Sequence, residues 1–470
     1  MFQQPSPKHH AIVLGGSIAG LMAARVLADH FERVTVIERD HLPEGDENRP
    51  CAPQGHHIHT LMLRGQLIME RLFPGLEAEL LEAGAPTVEQ GQETRVLYKT
   101  GWAPVMDTGL TIYAASRALL ESRIRRRINQ NPQIEIRDGY EVVELLADES
   151  RRTVTGVQMR QRGGQQVEYL RADLVVDASG RSSKTPDWLE QLGYARPQET
   201  VIQARLGYAS RWYAIPEDFR SDWKAIWIQP KAPFFPRGGV LMPAEGSRWV
   251  VTLFGTARDY PPTDETAFLG FARSLLSRRI YHAIKNAEPL TPVYGYRRTA
   301  NRWRHYERMA RLPERLLVMG DAFVALNPSY GQGMTAAALA AETLAAILRG
   351  RRSLNRLWVH FHRRLARAVG AAWMLSTHAD LRWPTTEGGR VGLLTAIMQG
   401  YTDRVAALIP NNPALYQVYL ETLHGLRPAS ALFAPSILKA VFQQAFKHQT
   451  AQPAPVVTST QEMVRVGSGR

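Results

Sequence analysis

A single cysteine, Cys51, is all that 470 residues contain, so neither an intramolecular disulfide nor a zinc site built from cysteines is available. That scarcity suits a reducing compartment, and a cytoplasmic protein is expected. Long apolar runs are lacking too. None reaches the roughly 18 residues that a membrane span requires. The first, Ala11-Ile12-Val13-Leu14, is too short for the apolar core of a secretion signal. Stable membrane insertion is not expected. Acidic residues are the minority: 57 Lys and Arg against 44 Asp and Glu leave a formal charge of +13. No zinc finger, RNP motif or homeodomain-like helix organises the excess, so nucleic acid is not an expected partner. The arginines of Arg123-Ile124-Arg125-Arg126-Arg127 and Arg363-Arg364-Leu365-Ala366-Arg367 read as solvated helix faces with some attraction for dinucleotide phosphates. The chain also lacks a nucleophile triad, paired catalytic carboxylates and internal repeats. His56, His57 and His59 form H-H-x-H without a partner set of Cys or carboxylates, a poor metal pattern, and no metal is expected.

What is present begins with a strand–turn–helix–strand unit. Ala11 to Leu14 is a short continuous apolar run, as in a strand buried on both faces of a parallel sheet. Gly15-Gly16-Ser17-Ile18-Ala19-Gly20 follows and opens a helical pattern over Leu21 to Leu27, and Val34-Thr35-Val36-Ile37 ends at Glu38. Dinucleotide folds use G-x-G-x-x-G here because the chain must turn tightly and approach a pyrophosphate, while the last glycine lets helix and strand pack closely. Ser17 stands at the second glycine position. Glu38, about 20 residues on, is where a carboxylate takes the ribose hydroxyls. Further along, Leu61 to Phe73 and Ser116 to Ile128 read as helices, the second capped by Ser116. Gln133 to Leu146 and Thr153 to Met159 alternate like strands, and Leu174-Val175-Val176 is a buried strand ending in Asp177-Ala178-Ser179-Gly180.

Between Val201 and Ala300 aromatics multiply, with Trp212, Tyr213, Trp227, Phe234, Phe235, Trp249 and Phe254 on strand-like segments. Leu241 to Pro243 and Trp249 to Leu253 flank a turn at Ala244 to Ser247, a predicted hairpin. The chain then returns to the first domain through Leu316-Leu317-Val318-Met319, Gly320-Asp321, Asn327-Pro328 and Gly331-Gln332-Gly333-Met334, the last opening an Ala-rich helix to Leu348. Asp321 offers a short fixed acceptor for a ribityl or ribose hydroxyl. Two glycines two apart let backbone pass against a flat ring, with a positive helix end aimed at it. The predicted fold class is α/β: a Rossmann-type FAD-binding domain with an inserted antiparallel β-sheet substrate domain and a C-terminal helical region. The predicted spans are 1–195 for the first part of the FAD domain, 196–305 for the inserted sheet and 306–350 for the return segment. Residues 351–447 form the helical region, with an amphipathic helix over Pro435 to Lys447, and 448–470 a disordered polar tail.

The pairing of the two motifs at opposite ends of the fold resembles the flavoprotein monooxygenases of the p-hydroxybenzoate hydroxylase fold over nearly the whole chain. Within that group the chain looks most like the lasalocid-type polyene epoxidases of polyether biosynthesis. The likeness lies in Pro53-Gln54-Gly55-His56-His57-Ile58-His59, Ser116-Arg117-Ala118-Leu119-Leu120, Asp177-Ala178-Ser179-Gly180-Arg181 and Gly320 to Ala337. The resemblance implies that Arg117 contacts FAD and that Val142 meets adenine through its backbone. It sets the histidine loop beside the ring system, where His57 would orient flavin or protonate a flavin intermediate, or serve structural hydrogen bonding. One departure is Ser179, which stands where relatives that hydroxylate phenols carry the Asp of the middle motif. Trp223 and Trp227 have the wrong spacing for the W-x-W-x-I-P of flavin halogenases and read as core or pocket aromatics.

The expected cofactor site therefore comprises Gly15, Gly16, Ser17, Ala19, Gly20, Glu38, Arg39, Arg117, Val142, Asp321, Gly331, Gln332, Gly333 and Met334. His57 and Gln332 are the catalytic candidates. The expected activity is an FAD-dependent monooxygenase, with NADPH or NADH as reductant. It would place one oxygen atom from O2 into an apolar, natural-product-like substrate, by alkene epoxidation through a flavin C4a-hydroperoxide. A flavin dehydrogenase, reductase or halogenase on the same scaffold is the alternative.

Overall fold

The computed structural model describes residues 9–49, 52–351 and 353–450. Cys51 and residues 451–470, most of the predicted tail, lie outside the described residues, whereas 448–450 continue the helix Pro435–Thr450.

The continuous apolar runs become a five-stranded parallel sheet in the order Leu316–Val318, Leu174–Asp177, His10–Leu14, Arg33–Ile37 and Ile134–Arg137. Ala11, Ile12, Val13, Leu174, Val175 and Val176 are fully buried, because helices cover both faces. Each of these Val, Leu and Ile side chains stabilises the fold by roughly 1.5–3 kcal/mol. The helices Ile18–Ala28 and Gly333–Leu348 pack against each other over this sheet, so both motif-bearing turns open at its carboxyl end.

The alternating stretch from 133 to 146 is two strands in two sheets. Asp138 and Gly139 turn the chain, with Gly139 at φ +71°. Ile134–Arg137 joins the parallel sheet, and Tyr140–Ala147 joins an antiparallel meander with Val154–Gln161 and Val167–Arg171.

The aromatic middle of the chain forms a seven-stranded sheet in the order Tyr294–Tyr296, Gly207–Ala214, Arg248–Gly255, Arg237–Ala244, Ala225–Ile228, Thr94–Tyr98 and Gly101–Trp102. The predicted hairpin is there, with Leu241 opposite Val251 and Pro243 opposite Trp249. The sheet is not wholly antiparallel: Thr94–Tyr98 runs parallel to Ala225–Ile228. Sheet membership also cuts across the expected boundaries. Two strands come from before residue 195, and Glu199–Ile202 and Asn301–Arg304 pair with one another in a separate ribbon with Val324–Ala325.

Beyond residue 350 the helices Leu357–Asp380, Leu393–Leu408, Pro413–Leu423 and Pro435–Thr450 follow. The first lies on the edge of the parallel sheet, where the buried His362 ring accepts a hydrogen bond from Val318 N–H at 3.0 Å. Burial holds that ring neutral, with a pKa lowered to about 3. Among the described residues, no helix is long and apolar enough to cross a membrane.

The basic helix Arg117–Asn129 departs from the reading of its arginines as solvated charges. Arg125 is buried and donates to the Pro43 and Gly45 carbonyls, Arg123 pairs with Asp46 at 3.1 Å, and Arg127 pairs with Glu79 at 2.7 Å. These side chains tie the 42–49 loop and the helix Leu76–Glu82 to the body. Periodicity could not reveal it, since the partners are distant in sequence.

Candidate functional site

The first turn explains its own glycines. Gly15 has φ +100°, and a Cβ there would stand 2.7 Å from the Ala178 carbonyl oxygen on the neighbouring strand. At Gly20 a Cβ would lie 1.8 Å from the Gly15 carbonyl oxygen, so only glycine lets the helix sit this close to its strand. Ser17, the departure from the pattern, is the helix N-cap at φ −96°, a conformation open to any residue. Its hydroxyl donates to Glu121 Oε2 at 3.2 Å and accepts from Arg117 Nη2 at 2.5 Å.

Glu38 is buried at the end of Arg33–Ile37. Its carboxylate accepts from the Gly16 N–H at 2.7 Å and the Asp40 N–H at 3.0 Å, and pairs with Arg49 at 3.2 Å. Arg49, itself buried, also reaches Glu121 at 2.8 Å and Asp40 at 4.0 Å. These carboxylates raise the Arg49 pKa even though burial, the largest single effect, works to lower it. Arg49 and Glu121 were not anticipated. Glu121 had one sequence signal, its i+4 spacing from Arg117, and the two side chains meet at 3.3 Å.

Gly15, Ser17, Glu38, Arg49 and Arg117 line one cavity of about 480 Å³, together with Ala19, Arg39 and the backbone around Val142, whereas Gly16, Gly20 and Glu121 stand behind its lining. The meander's register shifts between Val142 and Glu144, which leaves a bulge facing the cavity. Arg117 carries a buried Nε with no hydrogen-bond partner among the described residues, an unmet donor beside the helix N-terminus. A pyrophosphate meets both requirements, because N-terminal N–H groups and a guanidinium favour the same anion.

The second motif closes the cavity from the other side. Asp321 sits in the turn Gly320–Ala322 and faces Arg181 at 3.5 Å. Gly331 has φ +66°, and Gly333 has no atom within 4 Å of where a Cβ would stand. Bare backbone at the N-terminus of Gly333–Leu348 thus lies against open space, a cradle suited to a planar ring. Met334 lines it as well. The loop is held from behind by the buried carboxylate of Asp380, which accepts from Asn327 Nδ2 at 3.0 and 3.1 Å, Asn301 Nδ2 at 2.7 Å and Tyr330 OH at 2.8 Å. Burial raises the Asp380 pKa to about 7 despite these donors. In the middle motif, Ser179 donates to the fully buried Asp177 through N–H at 2.8 Å and Oγ at 2.5 Å. Ser183 and Thr185 complete that carboxylate's shell.

The two catalytic candidates differ in placement. Gln332 is buried, its amide donates towards the Leu423 carbonyl at 3.5 Å, and it is not among the residues lining the cavity. His57 does line it, with Nδ1 2.8 Å from Ser210 Oγ and its ring edge-on to Tyr208 at 4.6 Å. The three histidines do not converge: His56 stacks on Tyr294 at 3.9 Å, and His59 donates from Nδ1 to the His57 carbonyl at 3.0 Å. Burial lowers the pKa of both His57 and His59 to about 3. The remaining wall comes from the seven-stranded sheet, with Ile226, Trp227, Val240, Met242 and Phe254 giving an apolar face. Leu423 and His424 bring the C-terminal helices to the same cavity, a contribution the chain's motifs did not suggest.

Comparison with known proteins agrees with this geometry. A family model described as "FAD binding domain" matches residues 8–372. The protein Rv3254 of Mycobacterium tuberculosis is 36% identical over 388 residues, covering 80% of this chain and 81% of its own. Among solved structures, the flavin-dependent brominase Bmp2 superposes with a TM-score of 0.64 at 16% identity, over 94% of this chain and 100% of its own. PqsL of Pseudomonas aeruginosa, described as a probable FAD-dependent monooxygenase, gives 0.56 at 15% identity over 87% and 100%. At those identities the two structures share a fold with this chain.

Proposed function

Because this chain belongs to the FAD binding domain family, whose fold it shares with flavin-dependent monooxygenases and halogenases, we propose that it inserts one oxygen atom from O2 into an apolar, alkene-bearing substrate. NADPH or NADH serves as reductant. The observation that carries this reading is one cavity with two unlike walls. One wall is glycine backbone at a helix N-terminus, and the other is the apolar face of Ile226, Trp227, Val240, Met242 and Phe254.

Bound FAD supplies two-electron redox chemistry and the activation of dioxygen. Glu38 and Arg39 would hold the adenosine end, with the Val142 backbone at the adenine. Ser17, Ala19 and Arg117 would take the pyrophosphate, and Asp321 the ribityl chain. Gly331, Gly333 and Met334 would lie against the ring. The protein's part in the reaction is orientation and the exclusion of water, which the apolar wall performs. Oxygen transfer to an electron-rich double bond needs no side-chain nucleophile, in keeping with a wall that carries none. The motif likeness to lasalocid-type polyene epoxidases favours epoxidation over hydroxylation, as does Ser179 at the position where phenol hydroxylases carry Asp.

The test is product mass under isotopically labelled O2 with NADPH and a panel of apolar polyenes. Gain of one labelled oxygen atom is expected. A loss or gain of two hydrogens, or incorporation of halide when bromide or chloride is supplied, would replace this reading with the dehydrogenase or halogenase alternative.

A further inference from the structure

His57 lies in a closed ring of hydrogen bonds in which one member can only donate. The backbone N–H of Ile58, the next residue, points at Thr252 Oγ1 at 3.2 Å and can only donate. Thr252 Oγ1 lies 2.6 Å from Ser210 Oγ, the two residues standing directly opposite one another on Gly207–Ala214 and Arg248–Gly255. Ser210 Oγ in turn lies 2.8 Å from His57 Nδ1. Both hydroxyls are buried. The Thr252 oxygen accepts from Ile58, and among the described residues Ser210 is the one acceptor within reach of the buried Thr252 hydroxyl; with Ser210 as donor instead, the Thr252 hydrogen would have none. With Thr252 as donor, Ser210 directs its single hydrogen to His57. That arrangement makes Nδ1 an acceptor and puts the proton of the neutral imidazole on Nε2. Nε2 has no partner among the described residues, and the ring lines the cavity beside Tyr208 and Tyr296.

We propose that Ser210 and Thr252 are positioning residues that hold His57 as a neutral Nε2–H donor, presented to an oxygen acceptor in the cavity on either the flavin or the substrate. His57 on this assignment neither removes a proton nor binds a metal. The assignment rests on the oxygenase reading only for what the acceptor does, since the tautomer itself is a property of this chain.

The experiment is ¹⁵N NMR of the FAD-loaded protein with labelled histidine, recorded for the wild type and for Thr252→Val, Thr252→Ser and Ser210→Ala. His57→Gln, which keeps a donor near the Nε2 position, assigns the resonance. The wild-type His57 signal is expected to show a protonated Nε2 and a bare Nδ1, with no titration between pH 5 and 9. Thr252→Val and Ser210→Ala should mix the tautomers, and Thr252→Ser should restore the wild-type pattern. Comparison of apo protein with FAD-loaded protein separates the two acceptors: a shift of the Nε2–H signal on loading identifies the flavin, and an unmoved signal the substrate. With an oxygenated product in hand, His57→Phe should lower kcat about tenfold, the scale of one lost hydrogen bond, and His57→Gln should lose less. A wild-type ring protonated at Nδ1, or one that titrates near 6.5, would overturn the assignment even if the enzyme oxygenates its substrate. A protonated Nε2 with no oxygenated product would leave the tautomer in place and discard the oxygenase reading.

Discussion

Glu38 and Gly20 show how differently two residues of one motif act. Glu38 is a cavity-facing carboxylate already bonded by two backbone N–H groups and Arg49. Glu38→Ala is expected to weaken FAD by roughly 1.5–3 kcal/mol, about ten- to a hundredfold in Kd, as for a hydrogen bond to a charged group. Fluorescence titration of apo protein with FAD checks this, and unchanged occupancy at low FAD concentration would remove Glu38 from the ribose. Gly20 is not among the residues lining the cavity. A methyl group there meets the Gly15 carbonyl oxygen, so Gly20→Ala should push the helix off its strand and destabilise the fold by about 1–3 kcal/mol. A melting temperature equal to wild type would contradict that. Gly15, Gly20 and Glu38 were legible in the sequence because backbone geometry imposes those residue types at those spacings. Arg49 was not, since a buried arginine is marked only by the carboxylates that fold around it.

The element that shapes the second-motif side of the cavity is the loop before Gly333–Leu348, and it is pinned by the far end of another helix. Asp380 closes Leu357–Asp380 and gathers Asn301, Asn327 and Tyr330 onto one carboxylate. Asp380→Ala would leave these buried donors without their acceptor, at a cost of about 3 kcal/mol. It should loosen Gly331 and Gly333, and both a lower melting temperature and faster FAD loss on gel filtration are expected. If only the melting temperature falls, Asp380 supports the fold without shaping the loop. The Asn327-Pro328 motif showed a turn, but its anchor lies 53 residues on in a helix whose pattern marks only an apolar face. The same limit hid the split of 133–146 between two sheets. Alternation there is continuous, and only the Asp138-Gly139 turn betrays the break.

At the scale of the whole molecule, buried histidines set the response to acid. His57, His59 and His362 have pKa values lowered to about 3 and His424 to about 4, all by burial, against 6.5 for an unperturbed ring. Below 6.5 the unfolded chain binds protons that the folded chain refuses, so their contribution is present above 6.5 and lost progressively as pH falls towards 3. Asp380 works in the opposite sense. Its raised pKa, about 7 against 3.8, stabilises the fold below 3.8 and loses that contribution as pH rises through 7. Four groups oppose one between pH 6.5 and 4, so the melting temperature should fall from pH 7 to pH 5. A flat or rising profile across that window would show these rings to be solvated.

The sequence by itself determined the parallel sheet, the two glycine turns, the carboxylate that ends the second strand, the flavin family and the predicted hairpin. Each rests on contacts within a few residues or on backbone conformations that admit only certain side chains. The tertiary structure alone decided that Arg49 and Glu121 join Glu38, that Thr94–Tyr98 enters the middle sheet, that Gln332 turns away from the cavity, and that Ser210 and Thr252 orient His57. Those outcomes depend on hydrogen bonds and burial between segments as much as 194 residues apart, whose partners are chosen by packing and leave no periodic trace along the chain.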